Sequence, residues 1–221
     1  MLAKDLISDI IPIINTSETG IKALNWMEIF RVSHLPVVNN EDFLGLISDT
    51  DIYDLNEAEK AIDTHPLSLI RPYVYANQHV YEVIDLVSRL NLTVVPVLNE
   101  DKQYIGSITL HDLVNYFSEM TAVSEPGGII VLEMNINDYS LSEITQIIEG
   151  NDIKILSLYI SNHKDSTKID LTLKLNTPNL GGVIQSFERY KYSIKASFLE
   201  DEKVELLYKE RFDSFMNYLD M

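Results

Sequence analysis

The sequence of 221 residues contains no cysteine. Disulfides, thiolate metal sites and a cysteine nucleophile are therefore excluded. Basic residues are scarce, with 17 Lys and Arg against 34 Asp and Glu, for a formal charge of −17. Nucleic-acid binding needs cations that neutralise phosphates, so neither DNA nor RNA is an expected partner. No apolar stretch approaches the length of a membrane span, and no membrane partner is expected. The first residues, MLAKDLISDIIPII, carry Asp5 and Asp9 and no long apolar run. No signal peptide is read there, and a cytoplasmic location is the expectation. The five histidines, His34, His65, His79, His111 and His163, include no pair spaced to bind a metal from one helix. There is neither a Gly-x-Ser-x-Gly elbow nor a phosphate-binding P-loop. The chain is therefore expected to be no enzyme, with no catalytic residue, no metal and no cofactor acting as catalyst.

What is present is an ordinary globular mix, 46% hydrophobic and 23% charged, arranged as a repeat. Pro12 matches Pro72 and Pro36 matches Pro96, both at an offset of 60. Between them the segments align without a gap: Ala23 with Val83, Leu24 with Ile84, Met27 with Val87, Phe30 with Leu90. One residue is then inserted, so that Gly45 matches Gly106 and Asp51 matches Asp112, as a surface hairpin tolerates. Residues 19–33 carry apolar side chains near helical spacing. Leu35–Val38 and Phe43–Ile47 read as apolar strands around the turn residues 39–42, and a short helix follows from about Asp49. The second unit repeats this order as helix 79–91, strand Val94–Leu98, strand Tyr104–Ile108 and a helix from Leu110. Each unit is too small to bury both faces of its strands, so the two are expected to pack face to face.

The sharpest motif occurs twice. Gly45-Leu46-Ile47-Ser48-Asp49-Thr50-Asp51 and Gly106-Ser107-Ile108-Thr109-Leu110-His111-Asp112 both read Gly, two residues, Ser or Thr, two residues, Asp. Each follows a strand and opens a helix. The same spacing serves a capping box, in which the hydroxyl satisfies a backbone donor at the helix start. With the preceding Ser33-His34-Leu35-Pro36-Val37-Val38 and Thr93-Val94-Val95-Pro96-Val97-Leu98, the duplicated pattern over residues 1–120 resembles a tandem pair of CBS domains. That resemblance implies that Ser48, Asp51, Thr109 and Asp112 hold the ribose and phosphate of an adenosyl ligand. A helix start offers free N–H groups to an anion, and a carboxylate accepts from vicinal ribose hydroxyls. Leu35 and Val95 either pack on an adenine ring or fill the core. Arg31, Arg89 and His111 are the basic candidates to meet phosphate, and surface placement is their other reading.

Thr121–Gly128 reads as a linker. Beyond it, Ile129–Ile136 alternates as a strand, Ser140–Glu149 reads as a capped helix, Ile153–Ser161 and Lys168–Leu175 as strands, Asn179–Tyr192 as a helix and Ser193–Leu199 as a last strand. This βαββαβ order is ferredoxin-like and resembles an ACT domain over 129–199. The resemblance places a possible amino-acid site at Asp138, although Ser140 stands where ACT domains carry glycine. In 202–219, Val204, Leu207, Tyr208, Phe212, Phe215 and Leu219 recur at helical spacing.

The expected fold is thus mixed, α+β and α/β. It comprises CBS domains at 1–60 and 61–120, a linker at 121–128, an ACT-like domain at 129–201 and a C-terminal helix at 202–221. This order resembles bacterial regulatory proteins of the acetoin-utilisation B type. It implies a homodimeric sensor of an adenosyl ligand (AMP, ADP, ATP or S-adenosylmethionine) acting on a protein partner that the sequence does not name. Amino-acid sensing through the ACT-like domain and a ligand-free dimerisation scaffold are the alternatives.

Overall fold

In a computed structural model of the chain, residues 1–55, 57–64, 69–163 and 167–199 are described. The expected C-terminal helix, His65 and positions 164–166 of the expected turn lie outside them. The chain divides into two units, Met1–Tyr116 and a second beginning at Phe117.

The first unit holds both repeats. Helix α1, Gly20–Phe30, starts where the Thr19 hydroxyl accepts from the Lys22 N–H and ends at Arg31, which is left-handed at φ 56°. Its counterpart α3, Val80–Leu90, ends at Asn91 with φ 53°, so the two helices stop by the same device. Strands β1, His34–Asn39, and β2, Asp42–Ser48, pair antiparallel, and α2, Asp49–Leu55, follows directly. In the second repeat β3, Val74–Tyr75, runs parallel to β4, Val94–Leu98, which pairs antiparallel with β5, Tyr104–Thr109. Helix α4, Leu110–Met120, follows. Ile14 takes the place of β3 in the first repeat through a parallel bridge to Val37.

The leading segments of the two repeats are exchanged. The Ser8 N–H donates to the Ser107 carbonyl, and the Leu46 N–H donates to the Ile70 carbonyl. Ala3, Leu6 and Ile7 accordingly sit in the core of the second repeat with Val80, Val83 and Ile108. Leu69 packs on the core of the first repeat, which also takes in Val94. Fully buried Leu35, Ile47, Val95 and Ile108 anchor the two cores, each such side chain contributing roughly 1.5–3 kcal/mol relative to exposure.

In the second unit, strands β6 (Gly128–Asn135), β7 (Ile155–Asn162), β8 (Lys168–Leu175) and β9 (Ser193–Phe198) form one sheet in the order β7-β8-β6-β9, with every pairing antiparallel. This is the ferredoxin-like split βαβ order. Burial alternates along β6 and β8. Helices α5, Leu141–Glu149, and α6, Gly181–Arg189, bury Ile144, Ile147, Ile148, Val183 and Phe187 in the same core as the inward side chains of β6 and β8. Among the described residues, no helix is long and apolar enough to cross a membrane.

Candidate functional site

Both motifs form complete capping boxes. Asp51 Oδ2 accepts from the Ser48 N–H at 2.8 Å and the Ser48 hydroxyl at 2.7 Å, and Ser48 Oγ accepts from the Asp51 N–H at 3.1 Å. In the second repeat, Asp112 Oδ2 accepts from the Thr109 N–H at 2.9 Å and its hydroxyl at 2.6 Å, and Thr109 Oγ1 accepts from the Asp112 N–H at 3.1 Å. The hydroxyl protons are thus committed to the carboxylates, whereas Oδ1 of each Asp makes no hydrogen bond among the described residues. The two boxes differ in exposure, since Thr109 is buried and Ser48 is not.

Asp112 is the N3 member of the box, so Asp112→Ala should cost about 1 kcal/mol by leaving the Thr109 N–H without its acceptor, while Asp112→Asn should cost less because the amide oxygen can still accept from that N–H. Urea unfolding of the two variants checks this contrast.

The strand starts that lead to the motifs meet each other. The Ser33 N–H donates to Thr93 Oγ1 at 3.0 Å. The Ser33 carbonyl accepts from the Asp49 N–H at 3.2 Å, and the Thr93 carbonyl accepts from the Leu110 N–H at 3.1 Å. Each strand start thus ties to the helix its own repeat opens, as an approximate twofold relation requires. The relation breaks at one pair: His34 lies opposite Ser48 in the β1–β2 ladder, and Val94 lies opposite Thr109 in the β4–β5 ladder. His34 Nδ1 stands 3.0 Å from Thr93 Oγ1 and 3.4 Å from the Thr93 backbone nitrogen, which donates to it. Burial pushes the His34 imidazole below its ordinary pKa, against the pull of the Asp49 and Asp51 carboxylates.

The other sequence candidates lie as follows. Leu35 and Val95 have no accessible surface and belong to the two cores. Arg31 is exposed at the end of α1. Arg89 is exposed on α3, 3.7 Å from Asp85. No hydrogen bond or ion pair joins either arginine to a motif among the described residues. His111 is exposed in the first turn of α4. Sequence reasoning passed over His34 and Thr93, whose signal was the unlike pair His34 and Val94 at the repeat offset.

In the second unit, Asp138 is exposed and accepts from Asn135 Nδ2 at 3.3 Å. It lines an open depression of about 480 Å³ with Glu133, Glu143, Lys168 and Tyr192 among others. The Tyr192 hydroxyl donates to Glu143 at 3.0 Å. Burial, then that bond and its charge, push the phenol up to about 12. Nearby, Glu133, His163 and Asp170 bring one donor atom each within 4.8 Å of one another. Lys168 and Lys195 already pair with the two carboxylates and hold them below their ordinary range, so the cluster reads as an ion-pair lattice on the sheet.

The sequence profile of the CBS domain matches residues 3–57 and 62–119, just over half of the chain. The chain belongs to the CBS domain family. Its first unit is a tandem CBS pair. Inosine-5′-monophosphate dehydrogenase of Methanocaldococcus jannaschii is 25% identical over 148 residues, covering 66% of this chain and 29% of that enzyme. The chain thus spans under a third of that relative's length. Among solved structures, a CBS domain pair/ACT domain protein from Thermotoga maritima is similar, with 21% identity, a TM-score of 0.48, and 54% of this chain and 98% of that one covered. A CBS domain pair in complex with 5′-methylthioadenosine and S-adenosyl-L-methionine has 24% identity and a TM-score of 0.44, with 53% of this chain and 96% of that one covered.

Proposed function

We propose that this protein is a regulator whose CBS pair binds an adenosyl ligand, of the AMP, ADP, ATP or S-adenosylmethionine type, where the starts of β1 and β4 meet. The observation that carries the reading is the pair of Oδ1 atoms on Asp51 and Asp112, each left without a partner among the described residues while Oδ2 holds the cap. Capping and ligand binding are therefore compatible. Oδ2 orders the helix start, and Oδ1 accepts from a vicinal diol as acidic residues do in nucleotide sites. Phosphate suits the second motif better. The first turn of α4 holds one carboxylate, Asp112, and the exposed His111, whereas that of α2 holds both Asp49 and Asp51. Adenine contact through Leu35 or Val95 needs the strand starts to part, because both side chains are fully buried. The division into domains at 1–60, 61–120 and 129–201, the acetoin-utilisation B-like order, homodimerisation and an unidentified regulated protein belong to the same reading.

Thermal melting with AMP, ADP, ATP and S-adenosylmethionine tests it, since a ligand of the native state raises the midpoint. At least one is expected to do so, and Asp51→Asn with Asp112→Asn should abolish the shift while keeping the caps. No shift with any of the four would overturn the proposal.

A second reading, amino-acid sensing by an ACT-like second unit, rests on Asp138 at the rim of the depression. A melting shift with an amino acid that Asp138→Asn removes, and that the paired CBS substitutions leave intact, would favour it.

A further inference from the structure

The chemistry at the joint between the repeats depends on one proton. His34 Nδ1 receives the Thr93 backbone N–H, so it carries no hydrogen of its own, and the Thr93 hydroxyl 3.0 Å away is placed to donate to it as well. The same hydroxyl oxygen accepts from the Ser33 N–H. Ser33, His34 and Thr93 thus form a short chain of hydrogen bonds that closes one repeat on the other. A protonated imidazole has two N–H donors and no acceptor. Protonation at Nδ1 would set its hydrogen against the Thr93 N–H, leave that backbone donor without a partner, and force the hydroxyl to reverse. Unpaired donors at half-buried positions are costly.

We propose that His34 is a pH-sensitive clasp between the two CBS repeats, closed when the imidazole is neutral and loosened when it is protonated. The charged groups that act on it are the carboxylates of Asp49 and Asp51 on α2. The residues beside it, Ser48 on β2 and Thr93 just before β4, are uncharged. Both carboxylates favour the proton, and burial opposes it more strongly. The sign follows. A histidine whose folded pKa lies below its unfolded value of about 6.5 stabilises the fold above that value, and this contribution is lost as pH falls through the window beneath it. The second repeat has no such group, because valine stands at the matching position. The clasp does not rest on the ligand reading and is tested without ligand.

The experiment titrates the full chain by NMR from pH 8 to 5, following the His34 ring and the Ser33 and Thr93 amides, and repeats urea unfolding across the same range for wild type and His34→Val. His34 is expected to titrate below about 6.5. The two amides should move with it, and their exchange protection, corrected for intrinsic rates, should fall about tenfold for each unit by which pH drops through the window. Wild type should lose stability relative to His34→Val over that window. Titration of His34 at or above the ordinary value, or amides that do not follow it, would overturn the proposal even if His34→Val fails to fold. Parallel stability curves for the two proteins would do so as well.

Discussion

Alanine at position 106 is expected to lower the unfolding free energy by roughly 2–6 kcal/mol, the sum of a strained backbone and an overpacked core. Gly106 lies opposite Val97, just where the β4–β5 register slips before Leu98. Its φ is 148°, a conformation L-residues rarely adopt. A Cβ built there falls 2.4 Å from Ile7 Cγ2, an atom at the stiff, branched base of its side chain. Ile7 belongs to the exchanged N-terminal segment, whose Ser8 N–H is bonded to the carbonyl of Ser107. The clash thus pushes on the segment that closes the second repeat. Gly45, at the matching place in the first repeat, has φ 153° and would bring a Cβ to 2.6 Å from Leu69 Cβ and 2.7 Å from the Ile70 carbonyl oxygen. The two glycines of the duplicated motif are therefore fixed by packing of the exchanged segments. Urea unfolding of Gly106→Ala measures the effect, and a loss under about 0.5 kcal/mol, the ordinary cost of a surface change, would refute this account.

The fold was largely legible because its signals are local. Ser140 caps α5 through the Glu143 N–H, which follows from residue type and spacing. The alternation of Ile130, Leu132 and Met134 marks the inward face of β6, and all three are buried. The exchange of leading segments was not legible. Ile7 and Leu69 are apolar residues in short stretches, and nothing local says which repeat they cover. Strand β3, at two residues, is too short to carry a period. The duplicated Ser/Thr-x-x-Asp pattern gave two readings at the outset, a cap or a ligand site. Bond geometry shows the cap and leaves one carboxylate oxygen over, which spacing alone does not reveal. The link between His34 and Thr93 has no local signal, because the two are 59 residues apart.

Phe187→Ala is expected to destabilise the second unit by about 3–5 kcal/mol, the range for deleting a buried aromatic ring. Phe187 is fully buried on α6 and is the largest such side chain among the described residues. It packs with Ile144, Ile147 and Ile148 of α5 and the inward residues of β6 and β8. Its ring also meets Tyr192 edge-on, with centroids 5.6 Å apart. Tyr192 in turn donates to Glu143, so the ring backs a hydrogen bond that ties the start of β9 to α5. Removing it opens a cavity and frees that tyrosine together. Phe187→Leu, which keeps most of the volume, should cost no more than about 1.5 kcal/mol if a branched side chain repacks there. The consequence for function is spatial. The Phe187 core contains no residue of the CBS pair, so amide protection should collapse across β6–β9 while β4 and β5 keep theirs. A nucleotide-induced melting shift of the CBS pair should survive the substitution. If β4 and β5 lost protection in step with β6–β9, the second unit would be a required part of the CBS fold, and the assignment of sensing to the first unit alone would have to be withdrawn.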